Sequence, residues 1–188
     1  MRTRAAIAIG LAFVLLGAAG ALALISQGRM PDRAAAKTVK PVWTETQWPF
    51  PMDEWGQGKA FQCRAADCGV ETSLYIRAKI GFCNCTTGVS DDEELDRLTD
   101  FRLMGDRLLA VGAGRPIQVA WMKGRSRAYL GAPDRGRSAL AVAFNDRCDA
   151  IVATVVVADS RPLAIESGVL EFLNGQTIRH WAEMTLGL

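Results

Sequence analysis

The stretch Ala139-Leu-Ala-Val-Ala-Phe-Asn-Asp-Arg-Cys-Asp-Ala-Ile-Val-Ala-Thr-Val-Val-Val-Ala158 decides the fold class of this chain. Two charge-free runs, Ala139 to Phe144 and Ala150 to Ala158, flank a turn at Asn145-Asp-Arg147. Runs this short, one of them dense in β-branched residues and both bounded by turn residues, read as strands, and a tight turn makes them antiparallel neighbours. With no charge between their turns, both belong in the middle of a sheet. Ala139, Ala141 and Ala143 share the face opposite Leu140, Val142 and Phe144, and a face of alanines lets a helix approach closely.

Outward from this pair the same pattern continues. Pro116 to Met122 and Ser126 to Leu130 read as two further strands about a turn at Lys123-Gly124-Arg125, which completes a four-strand meander. Upstream, Lys59 to Arg64 and Thr72 to Ile80 form a hairpin through Asp67-Cys68-Gly69. In the second of these strands Leu74, Ile76, Ala78 and Ile80 alternate with Tyr75, Arg77 and Lys79, the pattern of a half-buried strand with one charged face.

Downstream, Pro162 to Leu173 is a helix capped by Ser160 and stopped in the left-handed region at Asn174-Gly175, with Ile165, Val169, Phe172 and Leu173 on its apolar face. Thr177 to Leu186 reads as a closing strand with Ile178, His180, Ala182 and Met184 on one side. Ser90 followed by Glu93 has capping-box spacing and opens a second helix. The expected class is α+β: an antiparallel sheet of hairpin, four-strand meander and C-terminal strand, with about two helices, over residues 59–188.

The first twenty-five residues are of another kind. Ala5 to Ile25 carries no charge and follows Arg2 and Arg4. As a helix it covers about 30 Å, the hydrocarbon thickness of a bilayer. It reads as a signal-anchor, while Ala19-Gly-Ala21 and Ala21-Leu-Ala23 have the form of a signal-peptide cleavage site. Either way a short basic start before an apolar run is an export signal, despite the competing cations Arg29, Arg33, Lys37 and Lys40. The domain is expected on the periplasmic or extracellular side, anchored in the membrane or, after cleavage, secreted.

Residues 26–58 read as an extended linker because Pro31, Pro41, Pro49 and Pro51 disfavour regular structure. Its Trp43, Trp48 and Trp55 are too many for a disordered tether. They are candidates for docking on a partner or the membrane interface, or for capping the domain's own core.

Twenty-two Lys and Arg against twenty Asp and Glu leave a net charge of +2, which does not favour nucleic acid as a partner. Charge is instead local. Asp91, Asp92, Glu93 and Glu94 fall on the first turn of the Ser90 helix, where the helix dipole favours them. Lys123, Arg125, Arg127, Arg135 and Arg137 form a basic rim. It suits anionic lipid headgroups, a phosphate-bearing ligand or an acidic protein surface, or it is a solvated rim, or one paired with the acidic helix of the same domain.

Four of the five cysteines cluster as Cys63, Cys68, Cys83 and Cys85. In an oxidising compartment they read as two disulfides, with Cys83 and Cys85 each reaching Cys63 or Cys68 and Cys148 left as a small buried hydrophobe. In the cytosol the same four would suit zinc, and that is the one cofactor the sequence offers. His180 is the lone histidine and reads as a core residue. Asn84-Cys-Thr86 matches a glycosylation pattern but is discounted for its cysteine. No paired acid and base or phosphate loop accompanies these residues. The sequence therefore points to a membrane-tethered exported accessory or binding domain without catalytic activity, contacting another membrane or exported protein, with thiol or zinc handling as the alternative.

Overall fold

In the computed structural model the described residues are 41–81, 84–105, 107–131, 136–159 and 161–188. The Ala5 to Ile25 run lies outside them, and no helix among the described residues is long and apolar enough to cross a membrane. The elements in chain order are β1 (Thr44–Thr46), β2 (Lys59–Cys63), the one-turn helix α1 (Ala65–Cys68), β3 (Thr72–Lys79), α2 (Asp92–Leu98), a 3-10 turn (Phe101–Met104), β4 (Leu109–Val119), β5 (Met122–Leu130), β6 (Ser138–Asp146), β7 (Asp149–Val157), a second 3-10 turn (Pro162–Ile165), α3 (Glu166–Leu173) and α4 (Gln176–Leu186).

All seven strands join one antiparallel sheet in the order β1-β2-β3-β7-β6-β5-β4. The charge-free runs of β6 and β7 lie at its centre, buried on both faces as their composition requires. On one face Leu140, Val142, Phe144, Ile151 and Val155 pack with Val169 and Leu173 of α3 and Ile178 and Ala182 of α4. The alanine face, Ala141 and Ala143 with Ala150 and Val152, receives Leu95 and Leu98 of α2. Ala143 is fully buried there. Ala143→Leu is therefore expected to overpack the contact with α2 and cost about 1–3 kcal/mol in urea unfolding.

Several elements depart from the sequence reading. Thr177 to Leu186 is not a strand but lies within α4, opened by Gly175 in an extended conformation. Ile178 and Ala182 lie four apart, a spacing that satisfies both periods, and they are its buried residues. His180 and Met184, which a strand would have turned inward beside them, are exposed. Asn174 and Gly175 have negative φ, so the preceding helix has no left-handed stop there. The Asn174 amide instead donates back to the Leu170 carbonyl at 2.9 Å. That helix begins as the 3-10 turn at Pro162, and its expected cap, Ser160, lies outside the described residues.

The turn expected at Lys123-Gly-Arg125 lies inside β5, and the chain reverses at Ala120-Trp121 with Ala120 at φ 52°. Gly124 serves close packing rather than turning. A Cβ there would collide with the Ala143 carbonyl and stand 2.6 Å from the Phe144 Cα. The cap of α2 is Asp91, one residue beyond Ser90, and its carboxylate accepts from the Glu94 N–H at 2.8 Å.

The proline-rich stretch also differs from a linker in its later part. Residues 41–58 belong to the same compact unit as the rest of the domain. Thr44–Thr46 pairs with Ala60–Gln62 to form the short edge β1. From there the chain crosses the sheet, because Trp48 and Phe50 pack edge-on to Tyr75.

Candidate functional site

The basic rim and the acidic helix meet in one network. Its backbone component is a bulge in β4: pairing with β5 runs from Leu109 to Val111, lapses, and resumes at Arg115. Gly112, at φ 67°, makes the bend possible. Asp92 on α2 accepts from the Gly114 N–H at 3.0 Å and from Arg125 Nε at 2.8 Å. Arg125 also donates to the Gly114 carbonyl at 3.0 Å and to the Ser90 carbonyl at 3.2 Å. Arg127 donates to the Gly112 carbonyl at 3.0 Å and to Asp96 at 2.9 Å, while the Tyr129 hydroxyl donates to the other oxygen of Asp96. Alternation on β5 puts Arg125, Arg127 and Tyr129 on the α2 face, and one helical turn spaces Asp92 and Asp96 to meet them.

These contacts fix the ionisation of the network. The Gly114 N–H, and after it Arg125, hold the Asp92 carboxyl below its usual range. Burial and the hydrogen bond to Asp96 push the Tyr129 hydroxyl far up, so it acts as a neutral donor. On the same face of the sheet, across β6 and β7, Asp53 is likewise lowered, chiefly by its hydrogen bond from Arg77. For a lowered carboxylate the stabilisation is complete above the unfolded value, near 3.8, and is lost as pH falls through the folded one. The urea midpoint should therefore be flat in these groups at neutral pH and fall below about pH 4, and Asp92→Asn should flatten part of that acid limb.

Of the remaining rim residues, Lys123 and Arg137 are exposed and Arg135 lies outside the described residues. Lys123 and Arg125 line an open groove of about 520 Å³ with Ser90, Thr87, Gln118 and Asn145. Pro116 and Ile117 add apolar surface to it. Among the described rim residues, Arg125 and Arg127 are thus neutralised by α2, while Lys123 is open at the groove.

The cysteines pair otherwise than the sequence suggested. Cys63 bonds Cys68 across the one-turn helix α1, and Cys85 bonds Cys148, which stands in the turn between β6 and β7. Cys83 lies outside the described residues. The sequence places Cys148 far from the cluster, but the fold brings its turn to the loop before α2, where Asn145 also accepts from the Val89 N–H at 2.9 Å. Cys148 is therefore a bonded cysteine rather than a free hydrophobe. The four-thiolate arrangement is not formed, since Cys63, Cys68 and Cys85 are consumed in these bonds. Among the described residues no group of three or more Cys, His, Asp or Glu is placed to hold a metal.

The three tryptophans pack on their own domain. Trp43 stacks on Phe172 at 5.0 Å, Trp48 meets Phe50 and Tyr75, and Lys79 sits 5.5 Å over the Trp55 ring. Beneath that strap lies an ion cluster that the sequence did not disclose. Arg77, only 2 % exposed, donates to both oxygens of Asp100 at 2.5 and 2.7 Å and to Asp53 at 2.6 Å, and Lys79 stands 3.0 Å from Asp100. The charged face of β3 is thus covered rather than solvated. The one signal for it was the aromatic strap, which needs a surface to lie on.

No protein-family model matches this chain, and no curated protein matches it in sequence.

Proposed function

We propose that this chain is a membrane-tethered, exported binding domain without catalytic activity, which contacts another membrane or exported protein. The pairing of Cys63 with Cys68 and of Cys85 with Cys148 carries this reading. Such bonds persist in oxidising compartments and are rare where thiols are kept reduced. The charge-free Ala5 to Ile25 run supplies the export signal and the tether. The contact surface is the groove at Lys123, where an exposed cation stands beside the apolar surface of Pro116 and Ile117. An acidic side chain presented on an apolar base fits that combination.

A reporter fused to the C-terminus tests the compartment, and a mild-detergent pull-down of the full chain tests the contact. The expected results are reporter activity outside the cytoplasm and a co-purifying membrane or exported protein that Lys123→Glu releases. A cytoplasmic reporter would remove the export reading. Identical captures by wild type and Lys123→Glu would remove the groove.

A further inference from the structure

The two disulfides differ in access and in what they hold. Cys85 is exposed in the loop before α2, and its partner Cys148 is half-buried in the β6–β7 turn. Cys63 is fully buried at the end of β2, and Cys68 is half-buried beyond the single turn of α1. A thiolate opens a disulfide only by reaching one of its sulfurs, so Cys85 is the most open point of attack of the four. The pairs also differ once opened. Cys63 and Cys68 stay neighbours about α1, where the Cys68 N–H donates to the Arg64 carbonyl at 2.9 Å, and so they reclose readily. Cys85 and Cys148 are 63 residues apart in sequence, and only the folded contact brings them together.

The loop that carries Cys85 is also a wall of the Lys123 groove, which Thr87 and Ser90 line. Its other polar ties to the sheet among the described residues are single hydrogen bonds, from the Val89 N–H to Asn145 at 2.9 Å and from Arg125 to the Ser90 carbonyl at 3.2 Å. The structure on either side has fastenings of its own. α2 is held through Asp92 and Asp96, and β6 pairs with β7 without interruption from Ser138 to Asp146.

We propose that the Cys85–Cys148 bond is a redox-sensitive latch on this groove: a dithiol reductant opens it ahead of Cys63–Cys68 and frees the Thr87–Ser90 wall while the sheet stays folded. One reductant thiolate attacks the Cys85 Sγ, and the electron pair of the disulfide leaves on the Cys148 Sγ, which takes up a proton. The second thiol of the reductant then displaces Cys85, which takes up the proton that this thiol gives up. The reductant departs as a disulfide, having passed two electrons to the protein. The consequence for partner contact rests on the groove reading above, whereas the exchange itself does not.

The test uses the full chain in nanodiscs, with Cys83→Ser so that only these four cysteines report, and dithiothreitol as the reductant. Timed acid quenching, alkylation and peptide mapping should show Cys85 and Cys148 freed about tenfold faster than Cys63 and Cys68. At that stage hydrogen exchange should rise across residues 84–90 and stay slow in β6 and β7. Both pairs opening together, Cys63–Cys68 opening first, unchanged exchange across 84–90, or loss of protection in β6 and β7 would each overturn the proposal. For the contact, the chain with only the Cys85–Cys148 pair reduced, alkylated and freed of dithiothreitol, is offered a mild-detergent membrane extract. A partner that Lys123→Glu releases should be absent here too, and its retention would overturn the regulation while sparing the groove. Captures that Lys123→Glu leaves unchanged would instead remove the groove reading and leave the exchange result standing.

Discussion

Asp100→Asn is expected to destabilise the domain by about 3–5 kcal/mol, read as a lower urea midpoint at unchanged m value. Asp100 is the shared partner of Arg77 and Lys79, both nearly buried, whereas Asp53 bonds Arg77 and the Trp55 N–H. The cluster balances two acids against two bases. Without Asp100 the balance fails, and two cations remain against Asp53 alone in a space closed by Trp55 and the strap. Desolvation of an unpaired buried charge costs far more than a surface ion pair contributes. The double variant Asp100→Asn with Lys79→Met restores neutrality around Arg77 and Asp53. It should therefore be more stable than Asp100→Asn alone, by about 1–2 kcal/mol. A double variant no better than the single would show that lost packing, not charge, governs this site.

The second large effect concerns the disulfides, and it separates them. Cys85 and Cys148 are 63 residues apart, whereas Cys63 and Cys68 are five apart. In the chain-entropy account, opening the long loop costs about 4 kcal/mol and opening the short one about 2. Cys148→Ser should consequently lower the urea midpoint about twice as far as Cys68→Ser. The long bond also fastens the loop before α2 to the β6–β7 turn, so its loss should expose the Val89 amide to hydrogen exchange, while loss of the short bond should leave that amide protected. Equal losses from the two variants would contradict this assignment of the bonds.

How much of this was legible in the sequence depended on whether one residue pattern had one physical meaning. β6 and β7 did: a short charge-free run can only be a buried strand or a buried helix, and the turn at Asn145 excluded the helix. Their alanine face announced a closely packed helix without saying which, and it is α2. The β4–β5 turn was misplaced because Gly124 resembles a turn glycine, although its lack of a Cβ serves close approach to β6. α4 was read as a strand because Ile178 and Ala182 fit period two as well as they fit a helical turn. In the candidate site, pairing of the basic rim with the acidic helix followed from charge asymmetry and was among the readings offered, but which residues pair, Arg125 with Asp92 and Arg127 with Asp96, was not. The Cys85–Cys148 bond was not accessible in that way, since sequence proximity favoured Cys63 and Cys68, and only the sheet order brings the β6–β7 turn beside Cys85. The buried Arg77 cluster was hidden for a similar reason. Charges alternating on β3 look solvated until the strap of Trp48 to Trp55 is laid across them.

The proposed export places this domain where disulfides persist. It is tested most directly by differential alkylation of intact cells, quenched in acid, with peptide mapping of the full chain. The account predicts that Cys63, Cys68, Cys85 and Cys148 resist alkylation until reductant is added, and that the non-reduced maps join Cys63 to Cys68 and Cys85 to Cys148. Free, alkylated thiols at all four positions in the untreated cell would contradict it.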